Sequence, residues 1–331
     1  MLLEFSVANF RSIKAKQTIS FVASEHIRDK MFNVRDLGDV DCKGLPVAVL
    51  MGATNSGKSN ILHALRFFQK FILSTEDVVA WGDYFDSAFF ACRICIDGII
   101  YSLKVIVSHK PNKPILPNGL EITVNGSSRS DLTFSERRFH GFKIQDFFKN
   151  LKTRIAVPLH MPAGSVDKLE NIELIKEYFP DIGRDANDKK LSYGMMTTIA
   201  VAGHAVNILK KGGMLALDDM YHMHPIITRQ IIKLFCSKIT NPNHAQLLIE
   251  LDNPSVLDDN NFIRQDQVFF VNKKEGVTTI KPLSDYKCDD GIDYLGLDYM
   301  RGSFGSLPEV GDIADIDNIL HIPSSFIEEE E

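Results

Sequence analysis

Hydrophobic and polar residues alternate with a period of two at the start of the chain and then change pattern. Leu3, Phe5 and Val7 alternate with polar residues, which predicts a half-buried strand, and residues 18–22 fit a second one. The uninterrupted apolar run at 47–50 is typical of a buried parallel strand and leads directly into a glycine-containing turn. The chain therefore opens with predicted half-buried strands, which are followed by a predicted fully buried strand.

Helical periodicity follows that turn and returns twice. Apolar residues fall on one face of a helix at Ile61, Leu65, Phe68 and Ile72. Later helices are predicted after residue 191 and from Pro225, and short apolar runs predict further strands at 214–217, 247–249 and 268–271. Strands that alternate with helices predict an α/β fold around a mostly parallel core sheet.

The middle of the chain departs from this alternation. Asp97-Gly98 predicts a hairpin, and the three prolines within 110–119 predict a loop. We therefore expect an N-terminal lobe at 1–73, a mixed α+β insertion subdomain at 74–187, and a C-terminal lobe at 188–331.

The turn after the apolar run carries the strongest chemical signal. Residues 52–59 read Gly-Ala-Thr-Asn-Ser-Gly-Lys-Ser, which matches the P-loop pattern G-x-x-x-x-G-K-[ST] between a strand and a helix. Glycines let the backbone N–H groups face phosphates, and the helix N-terminus adds positive potential. The pattern predicts binding of ATP with Mg²⁺: Lys58 reaches the β and γ phosphates, and Ser59 binds the ion. The predicted nucleotide site also includes Gly52, Asn55, Ser56, Gly57 and Asn60.

A P-loop needs a carboxylate on a neighbouring strand to hold magnesium. The apolar run at 214–217 is followed by Asp218 and Asp219. We predict that Asp218 is the magnesium-side carboxylate. Asp219 would stand where a general base polarises the attacking water.

A short segment between these motifs, Leu191-Ser192-Tyr193-Gly194-Met195, opens a helix. It resembles the ABC signature L-S-G-G-Q, in which Ser and Gly cap the γ-phosphate held by the opposite protomer. The resemblance implies that Ser192 and Gly194 act in trans, in a homodimer or higher homo-oligomer. The alternative is that Ser192 is an ordinary helix N-cap.

In this order the motifs resemble the RecF/SMC/OLD-like branch of ABC-type ATPases. More closely, they resemble stand-alone ATPases of bacterial anti-phage and abortive-infection modules, the RloA and AbiL-type proteins. The similarity rests on four segments, at residues 5–12, 51–65, 264–271 and 299–308. It implies an ABC-type ATPase head with an N-terminal antiparallel β part, and Arg11 at the phosphates or base. It also implies a separately encoded effector, a nuclease or toxin, regulated in antiviral defence.

Two departures from this family affect hydrolysis. The family has Asp-Glu where this chain has Asp218-Asp219, and an Asp is one methylene short, so the water would be displaced. The family's switch position holds His, and here it holds Asp252, which cannot donate to the γ-phosphate and repels it. We expect intact binding and slow hydrolysis.

Composition and charge limit the classes of binding partner that we expect. The formal net charge of -6 gives no global attraction to nucleic acid, although a local basic groove is left open. Five scattered cysteines, the lack of a signal peptide and the lack of an apolar run of ~18 residues predict a cytoplasmic protein without membrane contact. Cys92 and Cys95 lie in a predicted strand, so packing is favoured over zinc.

Other functions are compatible with the same motifs. One is a hydrolysis-deficient, ATP-gated scaffold, which differs from the ATPase only in rate. Another is a RecF-like DNA-repair head, which would need a basic groove or a long coiled coil, and no heptads persist. An OLD-type nuclease would need a further domain, and about sixty residues after Gln267 leave no room for one.

Overall fold

The fold was described from a computed structural model of the chain. It describes residues 1–27, 33–38, 40–73, 85–109, 116–124, 127–129, 146–149, 151–153, 177, 193–218, 223–257, 262–286 and 295–308. The strands in chain order are β1 Leu2–Ala8, β2 Gln17–Ser20, β3 Val47–Met51, β4 Phe85–Ile96, β5 Ile99–His109, β6 Leu116–Val124, β7 Ser127–Arg129, β8 Leu151–Thr153, β9 Met214–Leu217, β10 Gln246–Leu251, β11 Val268–Lys274 and β12 Val277–Pro282. The helices are α1 Lys58–Leu73, α2 Tyr193–Lys211, α3 Pro225–Cys236 and α4 Leu295–Met300.

The core sheet has the strand order β12-β11-β3-β10-β9-β8. All neighbouring pairs are parallel except β11 with β12 at one edge. Every residue of β3, β9 and β10 is buried, which explains the apolar runs of β3 and β9 and of residues 247–249 in β10. Because these strands are parallel, their carboxyl ends meet at one edge of the sheet.

A second sheet is antiparallel and has the order β2-β1-β4-β5-β6-β7. It shares a hydrophobic cluster with α1 and one face of the core sheet. Phe68 of α1 is fully buried there, and its ring lies 5.9 Å from that of Phe5, 5.7 Å from Phe148 and 6.1 Å from Phe90. This aromatic contact fixes α1, and with it the loop that precedes α1.

The opposite face of the core sheet packs against the other helices. Val47, Val49 and Met51 point to this side, while Ala48 and Leu50 point towards α1, as the alternation of a strand requires. Buried residues of α2, α3 and α4 complete the second cluster. The helices therefore cover both faces of the core sheet.

The predicted fold class is confirmed: an α/β P-loop fold has a mostly parallel core sheet and an antiparallel part that begins at the N-terminus. The helix face with Ile61, Leu65, Phe68 and Ile72 is buried. The Asp97-Gly98 hairpin is present, and both residues have positive φ, at 52° and 73°. The described part of the chain has no helix that is long and apolar enough to cross a bilayer.

One local prediction is wrong. Residues 116–119 belong to β6 and not to a loop, and Pro117 pairs with Val107 beside a register shift. Among the described strands, β7 pairs with the far end of β6, at 122–124, so Pro117 has a described partner strand on one side, β5. A proline is tolerated at such an edge because no ladder hydrogen bond is lost.

The boundaries of the three domains stay a prediction. The strands β4–β7 pair onto β1, and β8 forms an edge of the core sheet.

Candidate functional site

The P-loop lies between β3 and α1 and is packed too closely to accept extra side chains. Gly57 has a φ of 99°, and a Cβ added there would lie 2.1 Å from Thr278 Oγ1. A Cβ at Gly52 would lie 2.3 Å from the carbonyl oxygen of Val271. Both glycines are therefore required because β11 and β12 press against the loop.

A chain of hydrogen bonds ties the loop to the N-terminal turn. Asn60 Nδ2 donates to Ser12 Oγ at 2.6 Å, and Ser12 Oγ lies 2.7 Å from Thr278 Oγ1. Thr278 Oγ1 in turn donates to the Ser56 carbonyl at 3.0 Å. Arg11 NH1 donates to Asn60 Oδ1 at 3.3 Å, so these two predicted nucleotide-site residues lie together. Thr278 was not predicted from the sequence, because nothing local distinguishes a threonine in a strand that lies 222 residues from its partner Ser56.

The ammonium group of Lys58 is held inside the loop. The residue is 2% exposed, and Nζ donates to the carbonyl oxygens of Gly52 at 2.7 Å and Ala53 at 2.9 Å. Nζ also forms an ion pair with Asp252 at 2.7 Å and lies 3.5 Å from Glu250. Asp252, the residue at the predicted switch position, is therefore paired with the lysine that a phosphate would contact.

Ser59, Asp218 and Glu250 converge at the carboxyl edge of the core sheet. The register of β9 and β10 pairs Leu217 with Ile249, which places the next two residues side by side. Ser59 Oγ donates to Glu250 Oε2 at 3.2 Å, and the Glu250 carboxyl lies beside that of Asp218. Burial raises the pKa of Glu250 well above its usual range, and the Asp218 carboxylate adds to the rise, while Lys58 and Ser59 oppose it. Glu250 was missed as a site residue, although a glutamate within an apolar strand is a usable signal.

The residues at this edge fit a magnesium ion. Asp218 Oδ1 is buried and has no hydrogen-bond partner among the described residues, as expected of an oxygen that binds a cation. No three His, Cys, Asp or Glu side chains form a complete cage in the described ranges. Mg²⁺ is typically bound by one or two carboxylates, and substrate phosphates and waters complete its shell. The hydroxyl of Ser59 and the carboxylate of Asp218 are suited to supply such protein ligands.

A C-terminal segment closes over the other side of the loop. The carbonyl oxygen of Ser306 accepts from Ala53 N at 3.1 Å and from the Tyr299 hydroxyl at 3.0 Å. Burial, with the nearby Asp252 carboxylate, raises the pKa of Tyr299 to about 12, so the hydroxyl keeps its proton. On the exposed rim, Lys273 Nζ donates to Asn55 Oδ1 at 3.2 Å.

Of the remaining predicted site residues, the structure describes Gly194 but not the other two. Gly194 is the second residue of α2, and its carbonyl accepts from Thr198 Oγ1 at 2.9 Å. Ser192 and Asp219, the predicted trans contact and general base, lie outside the described residues. His224 caps α3, where its Nδ1 accepts from Ile226 N at 3.3 Å.

Comparison with known proteins finds similarity in structure alone. No family model matches the chain, and no curated protein matches it. Among solved structures, the SMC head domain from Thermotoga maritima is 15% identical, has a TM-score of 0.46, and covers 85% of this chain and 98% of its own. CbiO1 from Clostridium perfringens, part of the ABC transporter complex cbiONQ, is 11% identical with a TM-score of 0.35 and covers 96% and 98%.

Replacement of Gly57 by Ala should distort the P-loop. The new methyl group would collide with Thr278 Oγ1, in addition to the strain of a positive φ. We expect a fall in the free energy of unfolding of about 2 kcal/mol or more and faster hydrogen exchange in residues 52–59. The matched control is Gly38→Ala, which has a φ of 82° and no atom within 4 Å of the added Cβ. Equal losses in both variants, measured by urea unfolding, would contradict the collision.

Proposed function

We propose that the protein binds ATP with Mg²⁺, hydrolyses it slowly, and pairs with a second copy of itself around the nucleotide. The observation that carries the proposal is the closed P-loop, in which two glycines cannot be replaced and the lysine ammonium points inward. Beside it stand a hydroxyl and a carboxylate oxygen that has no partner within the described part of the chain, and both are suited to a cation. A loop that only connects two elements would need none of these features together.

Each residue has a defined part in binding. The backbone N–H groups of the P-loop and the N-terminus of α1 bind the phosphate oxygens. Lys58 moves its ammonium group from the carbonyls of Gly52 and Ala53 to the β and γ phosphates. Ser59 and Asp218 hold Mg²⁺, which supplies charge neutralisation between the β and γ phosphates when bound. Asn55, Ser56, Asn60 and Arg11 line the rest of the loop.

The rate of hydrolysis is proposed to be low for two reasons. Asp219 is a short replacement for the family's glutamate, so it positions the attacking water poorly. Asp252 accepts hydrogen bonds but has no proton to give the γ-phosphate, and its negative charge opposes the developing charge. The second function that an observation favours is an ATP-gated scaffold with no turnover, because Asp252 already neutralises Lys58 at 2.7 Å.

The biological setting is proposed from the family resemblance alone. ATPases with these motifs act beside separately encoded effectors in bacterial defence against phage. We therefore propose that ATP-dependent pairing of two copies holds or releases a nuclease or toxin. The net charge of -6 gives no general attraction to nucleic acid, so a protein partner is favoured over DNA.

Phosphate release tests the ATPase directly. Purified protein at high concentration is mixed with ATP and Mg²⁺, and single turnovers are counted against Lys58→Ala. We expect slow release by the wild type, and no ATP binding by the variant because its phosphate contact is lost. No release with ATP still bound would support the scaffold. Equal ATP affinity in both proteins would overturn the P-loop assignment.

Removal of the Asp252 charge should strengthen nucleotide binding. Asp252→Asn keeps the side-chain size but removes the ion partner that competes with phosphate for Lys58. The Asp252 side chain is 42% exposed and therefore screened, so we expect an increase in ATP affinity of only about two- to five-fold. Titration calorimetry measures this change. The control is Asp146→Asn, which breaks another exposed ion pair, with Lys149. Weaker binding by Asp252→Asn would refute the competition.

The predicted trans contact of Ser192 can be tested with a larger side chain at that position. Ser192→Arg places a long cation where the signature resemblance puts the opposite protomer's γ-phosphate, so it should block closure of the pair. We expect ATP to shift the wild type, but not this variant, from monomer to dimer in analytical ultracentrifugation. The variant should still bind one ATP per chain. Dimers of equal stability in the two proteins would disprove the role of Ser192.

A further inference from the structure

We propose that Glu250 is a third protein ligand of the magnesium ion, beside Ser59 and Asp218. This inference rests on the proposed binding of ATP with Mg²⁺ and extends it to a residue that the P-loop and Asp218-Asp219 motifs do not include. It is carried by the meeting of three oxygen-bearing side chains from α1, β9 and β10 at one point of the sheet edge.

The strand register places Glu250 towards the ion. Leu248, two residues before it, points to the α1 side of the core sheet, and Ile249 points to the opposite side. Residues two apart in a strand share a face, so Glu250 also points to the α1 side. The same alternation through Ala216 puts Asp218 on that side. Both carboxylates therefore face the start of α1, where Ser59 lies.

The three side chains lie close enough to share one ion. Glu250 Oε2 accepts from Ser59 Oγ at 3.2 Å, and the Glu250 carboxyl lies beside that of Asp218. Asp218 Oδ1 is buried without a partner among the described residues. An ion placed among these groups would give that oxygen a partner. Two carboxylates with a hydroxyl also agree with the usual preference of Mg²⁺ for few protein ligands.

Coordination explains Glu250 better than a role as general base. A general base must reach a water molecule that is in line with the leaving group. The Glu250 side chain is only 9% exposed, and its neighbours are Lys58, Ser59 and Asp218, so it is enclosed by the residues that hold the phosphates and the ion. Asp252, two residues further, is the more exposed acid on the same strand end and contacts only Lys58 among these groups.

The test separates metal binding from nucleotide binding. The dissociation constant of a fluorescent, non-hydrolysable ATP analogue is measured in EDTA and in saturating Mg²⁺, and the ratio gives the coupling between ion and nucleotide. Glu250→Gln keeps the shape and removes the anionic ligand. We expect the coupling to fall about 10- to 100-fold while the affinity in EDTA is not weakened. The same experiment can be done with Mn²⁺ in place of Mg²⁺, because free Mn²⁺ is measured by its paramagnetic resonance signal. The Glu250→Gln variant should show the same loss of ion binding.

The control variant is Glu25→Gln. Glu25 is exposed and follows Ser24, whose N–H donates to Asp266 at the amino end of β11, so it lies at the opposite edge of the core sheet from the P-loop. Its coupling should equal that of the wild type. If Glu250→Gln does not fold, as judged by circular dichroism, Glu250→Asp serves instead. It keeps a carboxylate one methylene shorter, and its coupling should be intermediate.

The outcomes distinguish this inference from the function on which it rests. Wild-type protein that binds no ATP analogue would overturn both. Nucleotide binding with normal coupling in the Glu250 variants would overturn the role of Glu250 and leave ATP binding standing. A fall in affinity that is equal with and without Mg²⁺ would also overturn it, because it would show a structural role for Glu250 in shaping the loop.

Discussion

The buried ammonium group of Lys58 is the interaction on which the arrangement of the site depends. A charge removed from water is costly unless hydrogen bonds and an opposite charge compensate it. The compensation comes from the carbonyls of Gly52 and Ala53, which turn towards the lysine, and from Asp252 at the end of β10. Carbonyls turned this way require a tightly curled backbone, and β11 and β12 pack so closely against it that no space is left for a Cβ at Gly52 or Gly57.

Charge balance links the entry of nucleotide to the entry of a cation. Asp252 forms an ion pair with Lys58, and the carboxyl groups of Asp218 and Glu250 lie beside each other at the same edge of the sheet. The phosphates of ATP would add several negative charges within a few ångströms. In a site of low dielectric this repulsion is much stronger than in water. A divalent ion bound with the nucleotide would reduce this repulsion, so the proposed site would favour the two ligands together over ATP alone.

Local patterns predicted the parts of the site that are contiguous in sequence. The P-loop and the apolar strand before Asp218 were recognisable because both chemistry and periodicity lie within a few residues. The contacts of Thr278 with Ser12 and Ser56 were not, since they join residues more than two hundred positions apart. Glu250 carried a visible anomaly, a charge inside an apolar run, but only the register with β9 shows that its neighbour is Asp218. Pro117 was misassigned because its tolerance depends on how far β7 extends along β6.

The contact between Ala53 and Ser306 has a consequence for how the protein is made. The P-loop is synthesised before the carbonyl that covers it, which is added 253 residues later. At ~5–20 residues per second, this interval lasts roughly 10 to 50 s. Glu250 and Thr278 also arrive late in that interval. During synthesis the P-loop therefore exists before its pocket is finished, and a ligand that binds the finished pocket would stabilise the chain only after Ser306 has been added.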